Sequence, residues 1–247
     1  MSTTIILYLA LGAAAGGFVN GLAGTGSALF SLGFYLLVLS PVTAVAVVCV
    51  LAILGGIPGL WLVRADIMAN KCKLMQFLLP GLVGVPVGVA LLDSINAETL
   101  RIGIALLLVI YGGYFSFRAV LPSIEAPSPK IDISVGLLGG VLAGLASVSG
   151  ALPVMWLSMR PWSKGQIRAV LQPFNVVILS ATATLLFLKG AYDETAVSAL
   201  LLTIPIALIA SQIGIFVFRR LSDTMFRRLL IGLSFLMGLG ILVQAIS

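Results

Sequence analysis

GGFVNGLAGTGSAL, at Gly16–Leu29, and GGVLAGLASVSGAL, at Gly139–Leu152, are one segment written twice. They align without a gap, and seven of their 14 pairs are identical. Both copies lie in charge-free apolar stretches, and both are too rich in Gly and Ser for a plain lipid-facing helix. Paired helix interruptions at matching places in a membrane protein point to a transporter and to the place where its substrate binds.

The surrounding chain supports a membrane setting. Of 247 residues, 60% are hydrophobic and only 9% are charged, too few charges for a soluble domain of this size. Charges are absent from 1–63, 74–92, 102–117, 133–159, 169–188, 195–218 and 229–247. Most of these stretches reach the ~17–25 residues that a spanning helix needs. No alternating ten-residue strands suggest an outer-membrane barrel. The N-terminus lacks a basic leader and a cleavage site, so it reads as part of the mature protein. Cys49 and Cys72 offer neither a disulfide framework nor a metal pattern, and no cofactor is expected.

The repeat runs past the Gly-rich segment. Ala44-Val45 matches Ala169-Val170, Leu60 matches Leu185, Gly88 matches Gly214 and Arg101 matches Arg227, at offsets of 125 or 126. A nearly constant offset makes weak matches credible together. Residues 1–118 read as a first repeat, with segments at 5–39, 42–63, 74–92 and 98–118. Residues 132–247 read as a second, with segments at 132–159, 167–188, 195–218 and 224–245. Between them, 119–131 holds Pro122, Pro127 and Pro129 and reads as a polar loop.

Charge placement decides how the repeats point. If all eight segments cross the membrane, the cations split six against eight and give no orientation. If each Gly-rich segment enters and leaves on one side, Arg64, Lys71, Lys73, Arg118, Lys130, Arg160, Lys164, Arg168, Arg219, Arg220, Arg227 and Arg228 share one face. Only Arg101 and Lys189 remain opposite, a split of 12 against two. That bias is what the positive-inside rule requires. It also explains the net charge of +6 without nucleic acid. The fold expected is an all-α integral membrane protein of two inverted repeats. Each is a Gly-rich re-entrant or broken helical segment plus three transmembrane helices, with both termini outside.

A hairpin tip inside a membrane exposes backbone groups that only protein or a water-lined cavity can satisfy. The N-terminus of a half-helix offers unpaired N–H donors and partial positive charge. Gly24, Thr25, Gly26 and Ser27 in one tip, and Ser147, Val148, Ser149 and Gly150 in the other, therefore suit a small anion held between opposed donors. Close helix packing explains the outer glycines instead, as in Gly136-x-x-x-Gly140-x-x-x-Gly144. Asn20, Gln172 and Asn175 are the polar residues nearest the tips and join the candidate site, although a membrane amide can also simply tie two helices together. Arg168 opens its helix and reads as an interfacial charge that attracts anions at an entrance. Trp61, Trp156 and Trp162 read as interface anchors.

Absences narrow the chemistry. Without His, a Ser–His protease is excluded, and no Walker A sequence supports ATP hydrolysis through a P-loop. No Asp or Glu lies mid-helix, so a buried carboxylate relay is missing. Any proton coupling would then travel with a protonatable substrate or use an interfacial group.

At Gly17-Phe18-Val19-Asn20-Gly21-Leu22-Ala23-Gly24-Thr25-Gly26, and again at Gly140 to Gly150 followed by Pro153, the chain resembles the TauE/SafE family of bacterial sulfite and organosulfonate exporters, built on a four-plus-four repeat. The likeness covers essentially the whole chain. Thr25, Ser27, Ser147 and Ser149 depart from the family's glycine runs. The resemblance implies a bacterial inner membrane and a small sulfur anion such as sulfite, sulfoacetate or a taurine-like compound. The residues themselves point to a secondary transporter in which one half rocks against the other, bound to a small anion and the lipid bilayer. A passive anion channel and a non-transporting, partner-binding subunit are the alternatives. The sequence sets no oligomeric state, monomer or homodimer.

Overall fold

The computed structural model describes residues 3–91 and 123–246, with residues 102, 105, 106, 109, 110 and 113 between them. Among the described residues there is no strand. Ten helices are described: α1 Thr3–Ala23, α2 Ser27–Tyr35, α3 Pro41–Leu62, α4 Arg64–Ala69, α5 Lys71–Leu91, α6 Pro129–Ala146, α7 Ala151–Ser158, α8 Lys164–Leu188, α9 Glu194–Arg220 and α10 Asp223–Ile246. Six of these, α1, α3, α5, α6, α8 and α9, are long and apolar enough to cross a membrane. The segment expected at 98–118 lies largely outside the described residues.

Local chemistry sets the helix starts. Ser40 accepts from the Thr43 N–H at 3.2 Å and Pro41 opens α3, a position where its missing N–H costs nothing. Ser163 and Gln166 form a reciprocal capping box at the start of α8, and Asp193 caps α9 through the Ala196 N–H at 2.8 Å. Each satisfies donors that a helix N-terminus leaves unpaired. The short α4, which the sequence did not suggest, turns the chain between α3 and α5.

Both Gly-rich segments are helical hairpins. The α2 return lies antiparallel against α1: Ser31 Oγ donates to the Gly12 carbonyl at 2.9 Å, and a Cβ at Gly16 would sit 2.9 Å from the Ser27 carbonyl. The α7 return lies against α6 in the same way. Trp156 Nε1 donates to Asp132 Oδ1 at 2.5 Å, and a Cβ at Gly139 would sit 3.0 Å from the Ser149 carbonyl. The arms are unequal. With 21 residues, α1 is about 31 Å long, close to the ~30 Å hydrocarbon core of a bilayer, whereas α2 has nine. Trp156 is buried by its bond to Asp132 and is no interface anchor; Trp61 is 71% exposed.

Each hairpin packs on a helix from the far part of the chain. Added Cβ atoms at Gly17 and Gly21 would meet the backbones of Ala207 and Ser211, and one at Gly214 would meet the Phe18 carbonyl. On the other side, Gly140 meets the backbone of Gly81, Gly144 that of Val85, and Gly88 that of Val141. Adding 123 to the hairpin numbers and subtracting 126 from the partner numbers converts the first three contacts into the second three. Both seams are therefore backbone against backbone, which small residues permit.

α3 and α8 form the centre and run antiparallel. Tyr192, just beyond α8, donates to the Ala46 carbonyl near the start of α3 at 3.2 Å, while Gln172 near the start of α8 donates to the Gly56 carbonyl late in α3 at 3.0 Å. Residues 44–49 of α3 and 167–172 of α8 are buried on every side; the first run is apolar all round, as a fully buried helix ordinarily is, whereas the second carries Arg168 and Gln172. The outer faces carry exposed Val83, Leu201, Ile209 and Phe216, a surface suited to lipid.

One end of the bundle collects charge. Arg160 pairs with Asp132 at 3.5 Å, the Lys73 ammonium sits 4.3 Å from the centre of the Trp162 ring, Lys164 Nζ donates to the carbonyls of Phe218, Arg219 and Leu221, and Arg227 Nη2 donates to the Trp162 carbonyl at 2.9 Å. The second hairpin begins and ends there. The first begins at the opposite end, where α3 starts. Arg101 and Arg118, part of the charge count, lie outside the described residues.

Candidate functional site

Each hairpin tip forms where a helix is stopped by a left-handed residue. Gly24 has φ 81° and ends α1, and Gly26 has φ 88° before α2. The counterpart of Gly24 is Ser147, which ends α6 at φ 56° and is the one non-glycine with positive φ among the described residues. Such a conformation carries a strain that glycine avoids.

The tips meet. A Cβ at Gly150 would lie 2.7 Å from Thr25 Cβ. Asn175, midway along α8, ties them together: its Oδ1 accepts from Ser149 Oγ at 2.6 Å and from Thr25 Oγ1 at 3.3 Å. Its Nδ2 donates to Asn20 Oδ1 at 3.5 Å, and Asn20 Nδ2 donates to the Ala52 carbonyl of α3 at 2.8 Å. These four side chains are buried and have partners, as buried polar groups must.

Seven residues earlier on α8, about 10 Å along its axis, lies Arg168. The structure buries it completely, so it stands inside the bundle and not at an entrance. Its Nε donates to Gln172 Oε1 at 3.1 Å and its Nη1 to the Leu22 carbonyl at 3.3 Å, just before the first tip. Its guanidinium carbon sits 4.2 Å from the centre of the Phe218 ring on α9. Nη2 has no partner, and a Cβ at Gly59 of α3 would lie 2.8 Å from it. The other buried charged side chains among the described residues, Asp132 and Arg160, pair with each other at the basic end.

Of the expected site residues, Asn20, Thr25, Ser149, Gln172 and Asn175 are brought together with Arg168, and Gly24 abuts Gln172 and Arg168. Ser27 is buried with its hydroxyl unpartnered. Two depart from the expected donor role, Ser147 and Val148. Ser147 turns to α3, where its hydroxyl meets Cys49 Sγ at 3.0 Å and the Val45 carbonyl at 3.4 Å. Val148 packs in a small apolar cluster with Ala105 and Ala151. Gly26 lines a small apolar cavity with Val19, Val154 and Leu230. The sequence missed Gly59 and Phe218, which enclose the guanidinium from α3 and α9. Gly59 follows the run Gly55-Gly56, a cue that α3 admits close neighbours.

The profile of the family described as sulfite exporter TauE/SafE matches residues 8–241. The chain belongs to the TauE/SafE family. Membership and the six apolar helices make it a multi-pass membrane protein of a transporter family, one whose description names sulfite export. No individual curated protein matches it. The TauE/SafE match spans both hairpins, α3 and α8, and so takes in every residue of the buried polar cluster.

Proposed function

We propose that this TauE/SafE protein is a secondary transporter that exports a small sulfur-containing anion, bound where the two tips meet between Arg168 and Asn175. The observation that carries this reading is the buried Arg168 guanidinium with no carboxylate partner and one nitrogen unpartnered. An ion taken out of water costs several kcal/mol unless a counter-charge is supplied, and an ionisable side chain inside a membrane bundle marks a substrate path. Two carbonyl-type acceptors and a ring face offset only part of that cost; an oxyanion offsets the rest.

The two repeats, 1–118 and 132–247, are inverted in this reading. The antiparallel course of α3 and α8, the equivalent seams and the opposite ends at which the hairpins begin support it. By the positive-inside rule the charged end faces the cytoplasm of a bacterial inner membrane, and both termini face outward. The moving bodies are not the sequence halves. Backbone-to-backbone packing makes α1–α2 move with α9, and α6–α7 with α5, so the bodies exchange hairpins between the repeats. Parting of the tips around α3 and α8 opens the site to one side at a time. Contact between Thr25 and Gly150 closes the path, which favours alternating access over a permanently open channel.

Counterflow of sulfite and sulfonates in proteoliposomes tests this. Saturable flux is expected from the native protein, and its loss when Ser27 and Ser149 are replaced by Leu. Undiminished flux in that variant contradicts the site.

A further inference from the structure

We propose that the site accepts an occupant with one net negative charge, so that hydrogensulfite and monosulfonates bind while dianions, sulfoacetate among them, and zwitterions such as taurine are rejected, which narrows the set of substrates that the family resemblance implies. This deepens, and rests on, the transport reading above.

The charge inventory is short. Arg168 is the only ionised side chain buried among the tips and the central helices within the described residues. Around it, Asn20, Thr25, Ser149, Gln172 and Asn175 are neutral. One bound negative charge makes the enclosed site neutral overall. A second would be buried with no cation to answer it, the arrangement that low-dielectric surroundings penalise most. A zwitterion fails for the converse reason, because no buried carboxylate at the tips can receive its ammonium group.

The donor inventory agrees. Nε and Nη1 of Arg168 are already committed to Gln172 and Leu22. Arg168 Nη2 is a buried donor without a partner, and one oxyanion oxygen answers it. The nearest further cation, Lys164, lies one helical turn toward the charged end, 5.1 Å from the centre of the same Phe218 ring. Its ammonium is committed to three backbone carbonyls. On the elements packed against this end of α8, the Asp66 carboxylate of α4 faces Gly165, and Asp223 of α10 accepts from the Lys164 N–H at 3.0 Å. The charged groups around Arg168 therefore lie at the solvent end and not in the site.

One consequence concerns coupling. Sulfite exists near neutrality as hydrogensulfite and as the dianion. A site that takes only the monoanion carries the proton on the substrate itself, S(IV) unchanged and no bond to protein formed. The chain then needs no buried carboxylate relay to move a proton.

The test is competition against labelled methanesulfonate counterflow in proteoliposomes of the native protein. Unlabelled methanesulfonate is expected to compete about a hundredfold better than ethane-1,2-disulfonate or taurine, the factor that an unanswered buried charge imposes. Competition by sulfite is expected to weaken as pH rises through its second ionisation, while that of methanesulfonate stays constant. Arg168→Lys is expected to keep the preference for the monosulfonate, and Arg168→Gln to lose it. Equal competition by the disulfonate, or sulfite that competes better as the dianion, overturns the charge rule but leaves transport standing. Absence of counterflow with every compound overturns the transport reading and the rule together.

Discussion

A guanidinium enclosed by Leu22, Gln172, Gly59 and Phe218 has exchanged water for two neutral acceptors and a ring face. Cation–π contact in a desolvated site is worth about 2 kcal/mol, short of what removing the ion from water costs. Asn175 has the complementary task of holding the tips closed. Replacing it by Ala removes the acceptor shared by Ser149 and Thr25 and strands both hydroxyls. A loss of about 1–3 kcal/mol is expected, read as a lower melting temperature in detergent. Asn175→Asp keeps the acceptor but loses the donor to Asn20 and buries a negative charge beside the anion's place, so it should abolish counterflow as well as lower the melting temperature. Asn20, Gln172 and Asn175 were legible in the sequence because an amide is conspicuous in a charge-free helix. Arg168 was not, because an Arg in the first turns of a membrane helix ordinarily reaches the interface. Only the packing of Phe218 and of the Gly59 backbone, both distant in sequence, encloses it.

At the scale of elements, the seams between α1 and α9 and between α5 and α6 leave no room for side chains. Gly21→Val would drive two methyl groups into the Ser211 backbone, and overpacking of this kind typically costs about 1–3 kcal/mol. Gly232→Ala in α10 meets nothing within 4 Å and should be neutral or stabilising by under about 1 kcal/mol. Thermal unfolding of the two variants checks the contrast; equal melting temperatures would remove the seam from the account. The glycine spacing announced that these helices touch something. It did not say what, because a small-residue stripe specifies closeness and carries no address. The hairpins themselves were legible, since Gly24 must stop α1 and the charge split needs a return. Their unequal arms were not: residues 32–39 are apolar but for the Tyr35 hydroxyl, and nothing in that run marks Tyr35 as the end of α2.

At the scale of the molecule, the hairpins begin at opposite ends and the charged residues gather at one. Single cysteines replacing Thr3 and Ala126, in a chain whose Cys49 and Cys72 are substituted, should label from opposite sides of the membrane. Labelling from the same side would mean four plain crossings per repeat and no inversion. The central claim is that the two tips close over the anion and must part to release it. Thr25 and Gly150 provide the direct measurement. Their Cβ positions lie 2.7 Å apart, so a small outward shift reaches the ~3.8 Å that a disulfide prefers. With Thr25→Cys and Gly150→Cys in the cysteine-free chain, oxidation should abolish sulfonate counterflow and reduction should restore it. Full counterflow with the tips demonstrably crosslinked would contradict the account.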